Sequence, residues 1–369
     1  MGQVLCRDEG PAPESWLLEA CAEERRGGLP CGGALRWAVR LSTWRLNGAS
    51  PLARSREFEW LRSALIEEPR ERDRVLEFRF EADQRRALLA RLLARRCCGE
   101  ALGAPATIGR TAGGKPFVAA VATTRGSGGH RFANFNFNVS HEGDFVVLAC
   151  EPLALCGVDV CCADRLRGGG REEGGRAPPS LEDLGQYAVA FARDEWLGLC
   201  LLGDAERRFD HFRVLWSCKE AYVKARGDGL AFDLSRVTFA ALARGDRGPF
   251  AAAAVVVDGV RDDRWRVDVE SLDDDHFASV CRGPVSEMRD ADGNFFATMR
   301  APDAGAVLSR AWRRALAEPR APFSVLDVDD LVPEDRRPDH AAVRSVGDGP
   351  WGLGALPTSS GHPRRPDGP

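Results

Sequence analysis

Four short stretches of this sequence hold side chains that could act on a phosphate. The first is LWSCKEAYVKARGDGL, residues 215–230, which carries Lys219 and Lys224, two of the three lysines in the chain. Lys and Arg together number 51, so nearly every other cation is an arginine. A compact ammonium retained against that habit marks a place where a planar guanidinium fork does not fit. On a helix, Trp216, Glu220 and Lys224 fall at i, i+4 and i+8 and share one face. An isolated E-x-x-x-K pair is ordinarily a surface ion pair worth roughly a few tenths of a kcal/mol. The rarity of lysine in this chain tilts the reading toward function.

The second stretch, GVDV at 157–160, sets Asp159 among small apolar residues. A carboxylate in a buried strand is costly unless a metal, a cation or hydrogen bonds compensate it. Asp159 is therefore either a strand-end cap or a divalent-metal ligand at the open end of a sheet. The third, NVSHEGD at 138–144, joins Ser140 and His141 at a strand-to-turn junction. Catalytic partners meet through space and not by adjacency, so the pair is better read as two donors aimed at phosphate. The fourth, TAGGKP at 111–116, combines two glycines, Lys115 and a proline. Such a loop can set backbone N–H groups and an ammonium against an anion, or it can be a plain hairpin turn. Taken together, the four point to Mg²⁺ and a phosphorylated ligand. Spacing alone reaches Mg²⁺-dependent transfer on a phosphate or pyrophosphate, and names neither the nucleotide nor the acceptor.

These residues need elements to hold them. LRWAVRLSTW (35–44) alternates and reads as a first strand. Apolar residues recur at helical spacing from Glu68 to Glu100, a stretch long enough for two helices. NFNFNVS (134–140) alternates strictly, while DFVVLACE (144–151) and ALCGVDVCC (154–162) read as buried strands. A helical pattern runs from Leu181 to about Arg226 and stops at Gly227 and Gly229. Strands follow at 236–242, 252–257, 264–270 and 276–282. Residues 163–180 and those beyond Val285 are rich in Gly, Pro and charge, apart from PFSVLDVDDLV at 322–332. The halves before and after residue 153 each read as strands around a long helix, which suggests a duplicated α+β unit.

Composition limits the partners. A net charge of −4 over 369 residues gives no field that argues for nucleic acid or an anionic membrane. No apolar run reaches membrane-spanning length, and the N-terminus lacks the basic start and apolar stretch of a signal peptide. Cys6 stands where a myristoylation signal takes Ser or Thr. The 12 cysteines include adjacent pairs and no C-x-x-C spacing, so free buried thiols in a reducing cytosol are expected.

In this order the blocks resemble the 4′-phosphopantetheinyl transferase superfamily. Its pattern of G-[IV]-D ahead of W-x-x-K-E-[AS]-x-x-K is matched by Gly157–Asp159 and Trp216–Lys224. More narrowly, LRWAVRLSTW, RTAGGKP, NFNFNVSHEGDFVVLACEP, KARGDGLAF and PFSVLDVDDLVP resemble blocks of its single-chain animal members. The resemblance spans residues 35–285 and that last short patch. It implies a pseudo-two-fold α+β fold with halves at 34–153 and 154–285. The flanks would be a disordered extension (1–33) and a mostly disordered tail (286–369) with a packing segment at 322–333.

The resemblance also implies coenzyme A in the cleft between the halves, with Mg²⁺ on its pyrophosphate. A serine of an apo acyl or peptidyl carrier protein, such as that of fatty acid synthase, would attack the β-phosphate and release 3′,5′-ADP. This is the holo-[acyl-carrier-protein] synthase type of reaction. By motif, Asp159 and Glu220 would bind the metal, Glu220 would also be the base, and Lys224 would serve the phosphates and the leaving group. Thr111, Gly114, Lys115, Pro116, Asn138, Val139, Ser140 and His141 would hold coenzyme A, with Arg74 on its 3′-phosphate side. One chain supplying both halves implies a monomer. Bacterial members often carry a third carboxylate two residues after the Asp, where this chain has Cys161. A thiol is a poor Mg²⁺ ligand, so water is expected there. Two other readings are a metal-dependent nucleotide hydrolase and a non-catalytic coenzyme A or nucleotide-binding protein of the same fold. The latter predicts lost ligands, yet Asp159, Glu220 and Lys224 are all present.

Overall fold

The same order of elements occurs twice along the chain. The computed structural model describes residues 34–44, 56–121, 132–163, 177–240 and 254–345. In the first half, β1 (Leu35–Arg40) leads through α1 (Arg56–Leu65) and α2 (Pro69–Leu76) to the long helix α3 (Glu81–Leu102). The hairpin β2 (Ala106–Arg110) and β3 (Pro116–Val121) follows, then β4 (Asn136–Glu142) and β5 (Phe145–Glu151). In the second half, β6 (Leu155–Cys162) leads through α4 (Arg193–Leu201) to α5 (Ala205–Arg226). A small sheet of β7 (Val237–Ala240), β8 (Ala254–Val257) and β9 (Val260–Arg261) precedes β10 (Arg266–Ser271) and β11 (His276–Gly283). Antiparallel strands run β1-β5-β4 in one half and β6-β11-β10 in the other, and a 22-residue helix packs on each sheet. This is the duplicated α+β arrangement expected from the sequence.

Each long helix ends at a glycine in the left-handed region, Gly103 at φ 71° and Gly227 at φ 89°, which frees the chain to turn back toward its sheet. At the start of α5 the Asp204 carboxylate accepts from the Arg207 N–H at 2.8 Å, an ordinary N-cap. The alternating stretch 134–142 explains how the halves meet. Phe135 and Phe137 bury in the core of the first half, while Asn136, Asn138, Ser140 and Glu142 face β6. Asn136 Oδ1 accepts from the Cys156 N–H at 2.8 Å, Asn138 Oδ1 from Val158 at 2.9 Å, and Glu142 Oε1 from Cys162 at 3.0 Å. Side chains thus take up the N–H groups that an edge strand would otherwise bury without partners. A third apolar cluster, Ala38, Phe145, Val147 and Ala149 against Cys156, Val158, Val160 and Val280, fills the space between the halves.

The chain beyond residue 285 corrects the sequence reading. Expected to be mostly disordered, it is folded through residue 345. Asn134 exchanges two hydrogen bonds with the Ala301 backbone (2.9 and 3.0 Å). α6 (Arg310–Ala317) buries Trp312, whose Nε1 donates to the Arg264 carbonyl. Arg320 pairs with the buried Glu151 at 2.9 Å, and β12 (Ser324–Leu326) joins β1 in parallel. α7 (Arg337–Ser345) places His340 between Glu57 and Asp329, at 3.0 and 3.1 Å. Arg320 and His340 are single polar anchors that no periodicity announces, whereas the i, i+3, i+4 spacing of Trp312, Ala315 and Leu316 on α6 was a helical signal that the sequence reading missed. Residues 1–33, 164–176 and 346–369, on which the remaining disorder and loop expectations fall, lie outside the described residues.

None of the nine described cysteines is in a disulfide, and all but Cys200 are buried. Among the described residues no helix is long and apolar enough to cross a membrane.

If the side-chain seam holds the halves together, Asn136→Ala leaves the Cys156 N–H and the Ala154 carbonyl without partners in a dry interface. The expected loss is about 2–4 kcal/mol of unfolding free energy by urea titration. A loss below about 0.5 kcal/mol would remove the seam from the account.

Candidate active site

A cavity of about 720 Å³ opens between the halves. From the first half it is lined by α2, α3, the β2–β3 turn and β4, and from the second by the end of α5 and residues 227–234. Arg74, Gly114, Lys115, Pro116, Asn138, Val139, His141, Glu220 and Lys224 all line it. The structure therefore gathers nine of the residues singled out from the sequence around one space. Ser140 and Asp159 are reached through Lys224, whose Nζ donates to Asp159 Oδ1 at 2.5 Å and to Ser140 Oγ at 2.9 Å. Ser140 Oγ donates in turn to the same Asp159 oxygen at 3.1 Å.

The closeness of α5 to β6 sets this geometry. A Cβ at Gly157 would lie 2.1 Å from the Ala221 carbonyl oxygen and 2.3 Å from the Ala225 nitrogen. Only glycine lets the helix approach so closely, and the approach brings Lys224 over Asp159 two residues along the strand. Ser217 Oγ on the same helix donates to the Asp159 carbonyl at 3.4 Å. Trp216 stacks with Phe212 and packs edge-on against Tyr187, in the aromatic core of the second half. Glu220 and Lys224 carry the same helix face into the cavity.

The three lysines divide in their use. Lys219 is fully buried, paired with Glu195 at 2.8 Å and donating to the carbonyls of Leu234 and Val237. Lys115, expected to reach a ligand, instead donates from Nζ to the carbonyls of Cys156 and Lys224, both at 2.7 Å. Burial pushes its ammonium down to about 8. Its turn is closed by Thr111, whose Oγ1 accepts from the Lys115 N–H at 3.1 Å. Thr111 thus serves the loop, which seats Gly113 against the Gly227 carbonyl at the end of α5, so close that a Cβ there would lie 2.8 Å away. Lys115 and Thr111 build the cavity's edge, and Lys224 alone of the lysines meets an acidic side chain at its floor.

The sequence reading missed the cavity's cationic wall. Arg91 and Arg95 of α3 and Arg110 at the end of β2 line it beside Arg74. Arg74, Arg91 and Arg110 converge on Glu71 at 3.0, 3.0 and 3.3 Å. Burial pushes the Glu71 carboxyl up, but Arg110 and Arg91 outweigh it and hold it below its usual range. Six cationic residues and three carboxylates line the cavity in all, so it favours a polyanion. In a chain this rich in arginine, no composition signal separates these from the rest. His141 stands at the rim, and desolvation followed by the Lys224 and Arg86 charges holds its imidazole below the usual histidine range.

For a divalent cation the candidates are Asp159 and Glu220. Among the described residues no cluster of three or more Asp, Glu, His or Cys side chains forms. Two hard-oxygen carboxylates suit Mg²⁺, which fills the rest of its octahedron with waters and ligand phosphates. Cys161 offers nothing there, since its thiol lies in the apolar core, 3.7 Å from the Phe277 carbonyl, and burial raises its pKa steeply.

Comparison with known proteins agrees with this architecture. Residues 54–153 match the model described as 4′-phosphopantetheinyl transferase, N-terminal, and residues 179–281 match that of the 4′-phosphopantetheinyl transferase superfamily. Asp159 falls between the two spans. The phosphopantetheinyl transferase of Thraustochytrium sp. is 36% identical over 266 residues, 70% of this chain and 80% of that protein. The mouse (Mus musculus) L-aminoadipate-semialdehyde dehydrogenase-phosphopantetheinyl transferase is 28% identical over 82% of this chain and 87% of its own length. A 4′-phosphopantetheinyl transferase of Bacillus pumilus is 35% identical over 44% of this chain and 58% of its own.

Lys115→Met tests the buried pin. A lysine whose folded pKa lies near 8 and whose unfolded pKa is near 10.5 penalises the folded state fully below pH 8, and the penalty lifts between pH 8 and 10.5. The stability of the wild type relative to Lys115→Met should therefore rise across that window. A pH-independent difference in paired urea titrations would contradict the buried, depressed ammonium.

Proposed function

Because the chain belongs to the 4′-phosphopantetheinyl transferase superfamily, we propose that it moves the phosphopantetheine arm of coenzyme A onto a serine of an apo carrier protein. The observation that supports this most is the alignment of one cavity with two different walls. An arginine wall suits the 3′-phosphate and ribose end of coenzyme A. The floor, with Asp159, Glu220 and Lys224, suits its pyrophosphate. Mg²⁺ held by Asp159 and Glu220 would supply charge neutralisation at the pyrophosphate oxygens.

The chain's own groups do the rest. Glu220 accepts the proton of the carrier serine as its oxygen bonds to the β-phosphorus. The bridging P–O bond breaks, and 3′,5′-ADP leaves with the electron pair. Lys224, freed from Asp159, neutralises the charge that grows on that leaving phosphate. His141 and the Lys115 turn keep the pyrophosphate in line with the serine. The acceptors we assign are acyl carrier domains of the fatty acid synthase type and related carriers. The enzyme would work in the cytosol as a monomer, since both walls come from one chain.

The test is to incubate the protein with coenzyme A, Mg²⁺ and an apo acyl carrier protein, and to weigh the carrier by intact-protein mass spectrometry. The wild type should add one phosphopantetheine arm per carrier only when metal is present. Glu220→Gln should lower the rate by about 10²–10⁴-fold, the range for loss of a general base. Coenzyme A binding without arm transfer to any of several carriers would leave a binding protein of the same fold. Release of phosphate or nucleotide without a carrier would indicate a hydrolase.

A further inference from the structure

We propose that Lys224 gates Asp159: its ammonium holds the carboxylate until a polyanion draws it away, so that a divalent cation binds well only together with the phosphorylated substrate. The proposal rests on the transferase reading for the identity of the ligands and adds an order of binding to it. Asp159 is the fixed partner, on the fully buried β6 strand with its side chain 9% exposed; the Lys224 side chain is 31% exposed and borders the cavity. Lys224 is also anchored through its backbone, because its carbonyl accepts from the buried Lys115 Nζ at 2.7 Å. Only its side chain is free to move, and that movement swings the ammonium between Asp159 and the cavity.

Electrostatics then decides where the ammonium rests. On Asp159 it has a carboxylate at 2.5 Å and the Ser140 hydroxyl at 2.9 Å. Out in the cavity it meets Arg74, Arg91, Arg95, Arg110 and Lys115 against the carboxylates of Glu71, Glu77 and Glu220, and Glu71 is already committed to three of the arginines. Without an anion in the cavity, therefore, the ammonium stays on Asp159. A divalent cation that approaches Asp159 and Glu220 meets this positive charge at contact distance, where like charges repel most strongly. A pyrophosphate in the cavity reverses both conditions: it gives Lys224 a new partner and gives the cation additional oxygen ligands. Cation and substrate are thereby coupled, and by linkage each strengthens the other by the same factor.

The coupling is measurable without turnover, as Mn²⁺ binding to metal-free protein followed by the electron paramagnetic resonance of the free ion, with and without coenzyme A and with no carrier present. For the wild type, coenzyme A should tighten Mn²⁺ binding by about tenfold or more. Lys224→Met and Lys224→Gln should each bind Mn²⁺ alone about tenfold more tightly than the wild type and lose the part of the coupling that the gate supplies, keeping only what direct phosphate ligation contributes, with thermal melting confirming that they fold. Adding Asp159→Asn to Lys224→Met should abolish the gain. Mn²⁺ affinity that is unchanged or weaker in both Lys224 variants, or a gain that survives Asp159→Asn, would overturn the gate. Arm transfer by the wild type alongside either result removes the gate and leaves the transferase. Absence of arm transfer together with absence of any Mn²⁺–coenzyme A coupling removes the transferase reading itself.

Discussion

The join between β4 and β6 is made by side chains, and the rest of the structure depends on it. Two edge strands from separate sheets lie together without a backbone ladder, and Asn136, Asn138 and Glu142 supply the acceptors that the β6 N–H groups require. A backbone ladder would have merged the sheets into one surface. The side-chain seam holds the halves as two sheets, and the cavity opens between them. It also fixes the register between the strands, so Ser140 falls beside Asp159. A shift of one residue would turn the asparagines away from β6 and expose Phe137 in their place.

Charge placement follows from that geometry. Buried lysines hold backbone together at two points, Lys219 at the strand that follows α5 and Lys115 between β6 and the end of α5. Both sit among converging carbonyls in tight surroundings, where a small ammonium fits and a guanidinium would not. Arginine serves the open side of the cavity, where width and several donors are useful. At these two points the room available around the charge accounts for the choice of lysine.

Much of this was legible in the sequence, for stated reasons. Alternation in 134–140 and the apolar runs at 144–151 and 154–162 marked the strands, and Gly227 marked the end of α5. The short motifs around Lys115, His141, Asp159 and Glu220 converge in space because each sits in or beside a regular element whose position the core fixes. What escaped was whatever periodicity cannot encode. Alternation in 134–140 does not say what the polar face meets, and here it meets another strand. Lys115 looked like a ligand contact, yet its ammonium is spent on two carbonyls. Arg91, Arg95 and Arg110 were hidden by the abundance of their kind, and in the folded segment 286–345 Arg320 and His340 are isolated polar anchors, although the apolar stripe of Trp312, Ala315 and Leu316 was there to be read.

The central claim is that a single ligand bridges both halves across the seam. Hydrogen–deuterium exchange of the intact protein, with and without coenzyme A and Mg²⁺, tests it most directly. Protection should appear together in residues 110–116 and 137–141 of the first half and in 220–230 of the second. Protection confined to one half, or none at saturating coenzyme A, would contradict a site built across the seam.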